Sequence, residues 1–239
     1  IRLSLVGSEM CIRDRLYCMQ LESLQTRLQD IYEVESAYNV AEFVFSDAAL
    51  AKALDASRNA RHIPEKLLIR EHPDGLDISL YLDSRLLEKL RRDNPQTCLH
   101  AGNIAEFCTV VEGISHFVYL IWNACRDRAV TLFELELQAE VDKYIMAAAI
   151  LAEQSGGQLP ANLHQVLFEN PVFDRQLNAA EQHRYAVANR FAKQYCAKLH
   201  QRLTRLGDSA SITREIRRFY RLLHRDKIER INCLPTRLN

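Results

Sequence analysis

The stretch GNIAEFCTVVEGISHFVYLIWNAC, residues 102–125, decides the fold class of this chain. A second stretch of the same kind follows at residues 131–153, TLFELELQAEVDKYIMAAAILAE. Apolar residues occupy nearly every side of both helical projections, which is typical of buried helices. The charged residues Arg126, Asp127 and Arg128 join the two segments, and so short a connection predicts antiparallel neighbours.

The composition of the remaining chain also favours helices. Its 239 residues include only seven glycines and six prolines, and 48% of them are hydrophobic. Such a chain can bury a sizeable core, and low glycine and proline content favours long helices over a sandwich or barrel. Apolar spacing and capping residues predict further helices over residues 20–35, 85–93, 160–168, 179–206 and 211–231, and a short one ending at residue 54.

One β-hairpin is predicted at about residues 66–82. The segments KLLIRE and LDISLYLD flank His72-Pro73-Asp74-Gly75, which supplies the backbone angles of a turn. In the second segment leucine and isoleucine alternate with polar residues and tyrosine, so one face should be buried and the other solvated. The fold class is therefore mainly α, an antiparallel, bundle-like helical domain that carries one hairpin.

The N-terminal segment IRLSLVGSEMCIRDR resembles the translated sequencing-adapter read-through found at the ends of some metagenome-derived reading frames. That resemblance implies an assembly artefact, with Met19 as the expected start. Residues 1–15 are therefore set aside in the fold prediction. The expected organisation is a non-native extension over 1–18, one mainly helical domain over 19–232 and a tail over 233–239.

Polar residues on the two central helices form the first candidate site. Glu112 and His116 have i,i+4 spacing, as do Glu136 and Glu140, so each pair shares one helix face. Carboxylates and a histidine that project between helices are the general style of a di-metal site. Ferritin-like di-iron proteins use Glu-x-x-His twice, whereas this chain has a single Glu-x-x-x-His. The alternative is a buried network in which Glu112 binds His116, and Glu136 and Glu140 pair with Lys143 or with the basic C-terminal helices.

His100, at the start of the first central helix, has two interpretations. It is either a third ligand of that site or an exposed residue at the beginning of a helix. Its position next to Gly102 in the sequence LHAGN favours the exposed residue.

The C-terminal region is basic. Between residues 184 and 230 there are thirteen Lys or Arg against four Asp or Glu, a net charge of +9 in a chain whose overall charge is zero. Five arginines recur at helical spacing with Tyr220 beside them: Arg214, Arg217, Arg218, Arg221 and Arg225. Such a stripe can bind a phosphate backbone, an acidic protein partner or the protein's own acidic residues.

Arg218 and His224 have the Arg-x5-His spacing of helical ribonucleases of the HEPN type, which the sequence RFYRLLH resembles. The resemblance would imply RNA cleavage by these two residues. Phe219 stands where that family usually has a polar residue, and the likeness is confined to seven positions.

Several common functional classes lack their signatures. The chain has no GxxxxGK[ST], Rossmann glycine pattern, GxSxG or HExxH. Its uninterrupted apolar runs, such as residues 117–122, are far shorter than the roughly 20 residues of a membrane span, so no span is expected.

The segments HAGNIAEFCTVVEGISHFVYLIWNA and ELELQAEVDKY resemble uncharacterised bacterial helical proteins, a likeness that extends over residues 19–232. It implies a helical fold but no activity. Three function hypotheses remain: a cytoplasmic, non-enzymatic protein that binds a partner or itself, an enzyme using the Glu/His cluster with a metal or by acid/base chemistry, and an RNA-binding protein. The first is the leading prediction, and no cofactor is expected.

Overall fold

The structure, a computed structural model, describes residues 2–4, 14–54, 63–73, 75–169, 177–206 and 209–234. About 68% of the chain is helical, and a small mixed sheet accompanies the helices, which confirms the mainly α fold class with a hairpin. The chain divides into two compact units. The N-terminal unit comprises Ile1–Gln29 and Glu35–Ala129, and the C-terminal unit comprises Asp30–Val34 and Val130–Asn239.

In the N-terminal unit, helices surround the sheet. The helices are α1 (Asp14–Tyr32), α2 (Ala48–Leu54), α3 (Ser84–Arg92) and α4 (Ile104–Ala124), with a short 3-10 helix at Val40–Glu42. The last residues of α1 belong to the C-terminal unit. Asp47 and Asp83 cap α2 and α3, since their carboxylates accept hydrogen bonds from the amides of Ala49 and Arg85, both at 2.8 Å.

The sheet is built around the predicted hairpin. Strands β3 (Glu65–His72) and β4 (Gly75–Leu82) pair antiparallel, with Ile69 opposite Ile78. Two short strands, β1 (Arg2–Ser4) and β2 (Val44–Phe45), pair parallel to β4 along its other edge. Strand β1 lies in the segment that the sequence analysis set aside; an open strand edge offers unpaired backbone groups to any extended segment. Asp74 of the predicted turn lies outside the described residues.

The prediction that one face of β4 is solvated is wrong for the second half of the strand. Residues 78–83 are all buried, including Ser79, Tyr81 and Asp83. Tyr81 packs on Phe45 of β2 with ring centroids 5.6 Å apart, and its hydroxyl donates to Asp83 at 3.3 Å. The alternating pattern described the strand alone, whereas in the fold β2 pairs with β4 and places Phe45 on Tyr81.

Helix α4 is the core helix of the N-terminal unit and packs on α3, β3 and β4. Ile114, Phe117 and Ile121 are buried, as predicted for this helix, and Phe117 packs against Phe43 with ring centroids 5.0 Å apart. By length and hydropathy alone α4 also meets the criterion for a membrane span, although 61% of its apolar window is buried inside the protein. That burial is typical of a core helix.

The C-terminal unit contains α5 (Leu132–Gln154), α6 (Leu163–Phe168), α7 (Ala179–Leu206), α8 (Ser209–Arg221) and α9 (His224–Cys233). Thr131 and Glu134 form a capping box at the start of α5. Contacts between α5 and α7 advance in the same direction, from Glu136–Arg184 to Tyr144–His200, so these two helices run parallel. Because α4 and α5 lie in different units, their antiparallel packing stays a prediction.

Helix α8 folds back antiparallel on α7. Arg202 binds Ser211 near the turn at 2.6 Å, and Tyr195 stacks on Phe219 further away at 4.1 Å. The single helix predicted over residues 211–231 is wrong, since the chain leaves helical geometry at Leu222 and Leu223. Leu223 is 52% exposed and takes the extended backbone of the residue that precedes α9.

The predicted domain limits remain expectations. Cooperative folding of residues 19–232 as one domain stays a prediction. Residues 5–13 of the N-terminal segment and 235–239 of the predicted tail lie outside the described residues, whereas Cys233 ends α9.

Candidate functional site

Glu112 and His116 lie one turn apart on α4. A carboxylate oxygen of Glu112 and an imidazole nitrogen of His116 are within 4.8 Å of each other. His116 is buried, and Glu112 is half-buried. The i,i+4 spacing places both side chains on one face of the helix, as the sequence predicts.

Glu65, the first residue of β3, lies beside His116 and is not among the site residues that the sequence predicts. Its Oε1 is 3.5 Å from Nδ1 of His116, and only 10% and 9% of the two side chains are exposed. Residue 65 immediately precedes the predicted hairpin, and no local pattern relates it to a helix some 50 positions later. The imidazole of His116 therefore has one carboxylate from β3 and one from its own helix nearby.

Gly113 explains how the sheet comes so close to α4. A Cβ at this position would lie 3.0 Å from Cγ of Glu65 and 3.0 Å from Cδ1 of Leu80. Glycine inside a helix costs about 0.5–1 kcal/mol relative to alanine, so it is retained where space requires it. A glycine between Glu112 and His116 is the one sequence signal that could have indicated a side chain lying across this face.

Glu136 and Glu140 lie on α5 in the C-terminal unit. Oε1 of Glu136 is 3.8 Å from Nε of Arg184 on α7. Glu140 accepts a hydrogen bond of 2.8 Å from Lys143, the partner that the structural interpretation predicts. The metal cluster of all four predicted residues stays a prediction, because its two halves belong to different units.

A second polar cluster, absent from the predicted sites, is buried in the C-terminal unit. Asp142 Oδ1 accepts hydrogen bonds from the Tyr32 hydroxyl at 2.6 Å and from Gln138 Nε2 at 2.7 Å. Lys227 Nζ donates to Gln138 Oε1. All four side chains are fully buried, and we call them the Lys227 network: Tyr32, Gln138, Asp142 and Lys227.

Burial controls the protonation of the Lys227 network. Removal from water lowers the pKa of Lys227 to about 7, against the opposing attraction of Asp142 and Glu134. Burial, and then the charge of Asp142, raises the pKa of Tyr32. A general acid or base must come within hydrogen-bond reach of a substrate. Since none of these four groups meets solvent, the network is structural.

The arginines of the predicted stripe fall into two sets, those that bind other parts of the protein and those that face solvent. Arg217 donates to the carbonyl of Ile31 at 2.8 Å and pairs with Glu33, and Arg221 donates to the carbonyl of Glu33 at 2.9 Å. These two arginines fasten α8 to the C-terminal end of α1, where free carbonyls attract cations. They are therefore used inside the protein.

The other three members of the stripe face solvent. Arg214 and Arg218 are exposed on α8, and Arg225 is exposed on α9. No acidic side chain within the described ranges forms an ion pair with any of them. Tyr220, expected to stand beside the stripe, is fully buried and stacks on Tyr32 with ring centroids 4.2 Å apart. A nucleotide base therefore cannot stack on its ring.

Arg218 and His224, the ribonuclease-like pair, lie on two different helices. His224 begins α9, and its ring lies 4.8 Å from that of Phe133 and 3.4 Å from Oγ1 of Thr131. Arg218 is on α8 before the break. RNA cleavage by this pair stays a prediction, while His224 has a structural contact of its own.

His100 is exposed at the start of α4, as the favoured interpretation predicts. Its Nδ1 accepts a hydrogen bond of 3.0 Å from the amide of Gly102, and its Nε2 lies 3.2 Å from Asp93. These contacts orient the loop before α4.

Two exposed leucines lie at or close to the break between α8 and α9. Leu132 is 57% exposed and Leu223 is 52% exposed. Thr131, which precedes Leu132, contacts His224, which follows Leu223. We call Leu132, Leu223, Arg214, Arg218 and Arg225 the α8–α9 surface.

No protein-family model, curated protein or solved structure matched this chain.

Proposed function

We propose that this protein is a non-enzymatic binding module that binds an acidic segment of a partner protein through its α8–α9 surface. One observation carries the proposal: exposed Leu223 lies in the break between α8 and α9, two helices with exposed arginines that have no acidic partner among the described residues. Apolar contacts at the centre with arginine around them are the usual composition of a protein interface.

The charge of this surface indicates an acidic partner. Arg214 and Arg218 place two exposed positive charges on α8, and Arg225 places a third on α9. Guanidinium groups bind carboxylates through two parallel hydrogen bonds, which gives both affinity and orientation. Complementary charge also raises the association rate.

A protein partner fits this surface better than RNA. Proteins that bind single-stranded nucleic acid combine positive charge with aromatic rings on which bases stack. Phe219 and Tyr220, the aromatic residues within the stripe, are fully buried. Leu132 and Leu223 instead offer aliphatic surface to an apolar side chain of the partner. We further propose a bacterial, cytoplasmic setting, which the resemblance of residues 19–232 to bacterial helical proteins supports.

Affinity capture followed by crosslinking tests the proposal. Wild-type protein and the variants Leu223→Asp and Arg218→Glu are immobilised and exposed to bacterial lysate at low and high salt. We expect one reproducible protein to bind wild type, to leave both variants and to dissociate at high salt. Its crosslinks should map an acidic segment onto the α8–α9 surface.

The matched control is Arg85→Glu, which reverses an exposed charge on α3. It should capture the same protein as wild type. Equal capture by all three variants would contradict the proposal. So would tight binding of a labelled 20-nucleotide RNA that weakens steeply with salt and with Arg218→Glu, because that result would favour RNA.

A further inference from the structure

The outer edge of β3 has no strand beside it in the described part of the chain. Strand β4 has β3 on one side and the short strands β1 and β2 on the other. No described strand pairs with the remaining side of β3, which extends over the eight residues Glu65–His72. Such an edge offers a row of backbone donors and acceptors to an extended peptide.

The hydrogen bonds of β4 determine which residues of β3 point outward. The amide of Leu80 donates to the carbonyl of Phe43 at 2.8 Å, so the backbone of Leu80 is directed toward β2 and away from β3. Leu67, which lies opposite Leu80, therefore belongs to a non-hydrogen-bonded pair. The amide of Asp83 donates to the carbonyl of Pro64 at 2.8 Å, which fits the same alternation three residues away.

The backbone groups of β3 thus alternate between β4 and the open edge. Those of Leu68 and Arg70 are bonded to β4, because these residues lie between the non-hydrogen-bonded pairs. The N–H and C=O groups of Leu67, Ile69 and Glu71 point away from the sheet. Within the described ranges, these outward backbone groups have no hydrogen-bond partner.

The side chain of Ile69 indicates an apolar residue in the partner. Ile69 lies opposite Ile78, which is buried, yet 41% of Ile69 is exposed. In an added strand, the residue opposite Ile69 would project to the same face of the sheet. An apolar side chain there would cover Ile69 and extend the row that begins at Ile78.

The other face of β3 is positively charged. Lys66 and Arg70 both project to this face, and Arg70 is exposed. Asp77, directly opposite Arg70, binds His72 at 2.6 Å, and no acidic side chain among the described residues forms an ion pair with Arg70. A carboxylate in an added strand would lie directly opposite this guanidinium, where opposite charges attract. The charge therefore indicates acidic residues in the partner.

A second copy of β3 fits this edge less well than an acidic segment. In an antiparallel pair, outward residues must lie opposite outward residues. The register centred on Leu68 then places Lys66 opposite Arg70, and like charges in that position repel. The register centred on Ile69 places Arg70 opposite Leu68 and gives it no carboxylate.

We infer that the outer edge of β3 binds an extended segment of a partner protein, added to the sheet as an antiparallel strand in which apolar residues alternate with acidic ones. Backbone hydrogen bonds supply the attachment, and the side chains beside Ile69 and Arg70 supply the specificity. The edge belongs to the N-terminal unit and the α8–α9 surface to the C-terminal unit, so either proposal can fail alone.

Hydrogen exchange of single amides tests the inference on the full chain. The probe is the blocked peptide Lys-Asp-Val-Thr-Val-Asp, which in antiparallel register places its first aspartate opposite Arg70 and its first valine opposite Ile69. NMR follows the exchange with the probe at about ten times its Kd. We expect the amides of Leu67, Ile69 and Glu71 to exchange fast in the unbound protein and about tenfold more slowly with the probe. The amide of Leu68 should exchange slowly in both.

Variants of β3 separate charge from backbone recognition. Arg70→Glu should weaken binding of the labelled probe, measured by fluorescence anisotropy, by about tenfold or more. It should bind a second probe, with lysine in place of the first aspartate, more tightly than wild type does. Ile69→Pro removes an outward N–H without removing a bond to β4, and proline is tolerated on edge strands. We expect it to lose the probe while its circular dichroism spectrum stays helical.

The matched control is Arg218→Glu, which reverses a charge on the α8–α9 surface and should bind the probe like wild type. Loss of the probe in this variant would place its binding elsewhere and overturn the inference. So would the absence of saturable binding to wild type, or equal affinity of wild type and Arg70→Glu. Slow exchange of the outward amides without probe, lost on dilution, would mean that a second copy occupies the edge and would also overturn it.

Discussion

The hydroxyl of Tyr32 donates a hydrogen bond of 2.6 Å to Asp142, joining the end of α1 to α5 across 110 positions of sequence. Tyr32 also stacks on Tyr220 of α8, and Asp142 accepts a second hydrogen bond from Gln138. The buried carboxylate is thereby solvated by side chains instead of water. This relationship makes the end of α1 part of the C-terminal core.

Removing that hydroxyl should destabilise the protein. Tyr32→Phe keeps the aromatic ring but leaves buried Asp142 with one donor fewer. We expect the free energy of unfolding to fall by about 1.5–3 kcal/mol, the usual cost of a hydrogen bond to a charged group. Urea denaturation followed by circular dichroism measures it. Tyr17→Phe removes the hydroxyl that donates to the less buried Glu88. It should lower the free energy of unfolding by less than about 1 kcal/mol. Equal losses would contradict the role of the network.

Stability should rise with pH between about 7 and 9.5. In this interval Lys227, with a folded pKa of about 7, is largely neutral in the folded protein but still protonated in the unfolded chain. The unfolded state then binds more protons, so the free energy of unfolding increases with pH, by at most about 1.4 kcal/mol per unit. Below pH 7 Lys227 is protonated in both the folded and the unfolded state. The folded protein then bears the full free-energy cost of burying this charge. Urea titrations at pH 6, 7, 8 and 9 measure this slope.

A methionine substitution identifies the group responsible for this slope. Lys227→Met should flatten it, whereas Lys89→Met, at a surface ion pair, should leave it unchanged. The raised pKa of Tyr32 acts in the opposite direction only above about pH 10, where unfolded tyrosines ionise. A slope that persists in Lys227→Met would show that another group titrates.

Neighbouring arginines on α8 should behave differently. Arg217 binds the carbonyl of Ile31 at 2.8 Å, whereas Arg218 is exposed. Arg217→Ala should therefore lower the free energy of unfolding by about 1–3 kcal/mol, since the carbonyls lose their donors. Arg218→Ala should change it by less than about 0.5 kcal/mol while weakening partner binding. Thermal melts of the two variants compare them, and equal melting temperatures would refute the division of the stripe.

Phe117 tests the core of the N-terminal unit. The side chain is fully buried beside Phe43, so Phe117→Ala should cost about 3–5 kcal/mol. Met19→Ala, at an exposed position, should cost almost nothing. Calorimetry of Phe117→Ala also tests the predicted single domain: one shifted transition supports it, whereas a shift in only one of two transitions would mean that the units unfold separately.

Local patterns predicted much of the fold. The apolar spacing of residues 102–125 and 131–153 located α4 and α5 to within two residues. The Pro-Asp-Gly turn and the alternating segments located the hairpin of β3 and β4. Helix α7 was predicted with its observed bounds, 179–206. These features depend on interactions between residues close in the chain, which sequence periodicity records directly.

Contacts between distant residues were not predicted. The helix break at Leu222 and Leu223 has no glycine or proline to mark it. Glu65 faces His116 because a strand packs on α4, and Lys227 of α9, a helix that packs on α7, reaches Gln138 of α5. Tyr220, expected beside the arginine stripe, is buried against Tyr32 and is not exposed to a ligand.

The sequence by itself determined the helical class, the hairpin, the shared face of Glu112 and His116 and the positive charge of the C-terminal region. Only the tertiary structure decided which arginines face solvent, which carboxylates lie next to an amine or imidazole, and which aromatic rings are buried. The physical reason is that backbone periodicity fixes the direction of a side chain relative to its own helix or strand. Its pKa and its partners depend on whatever other segments remove it from water.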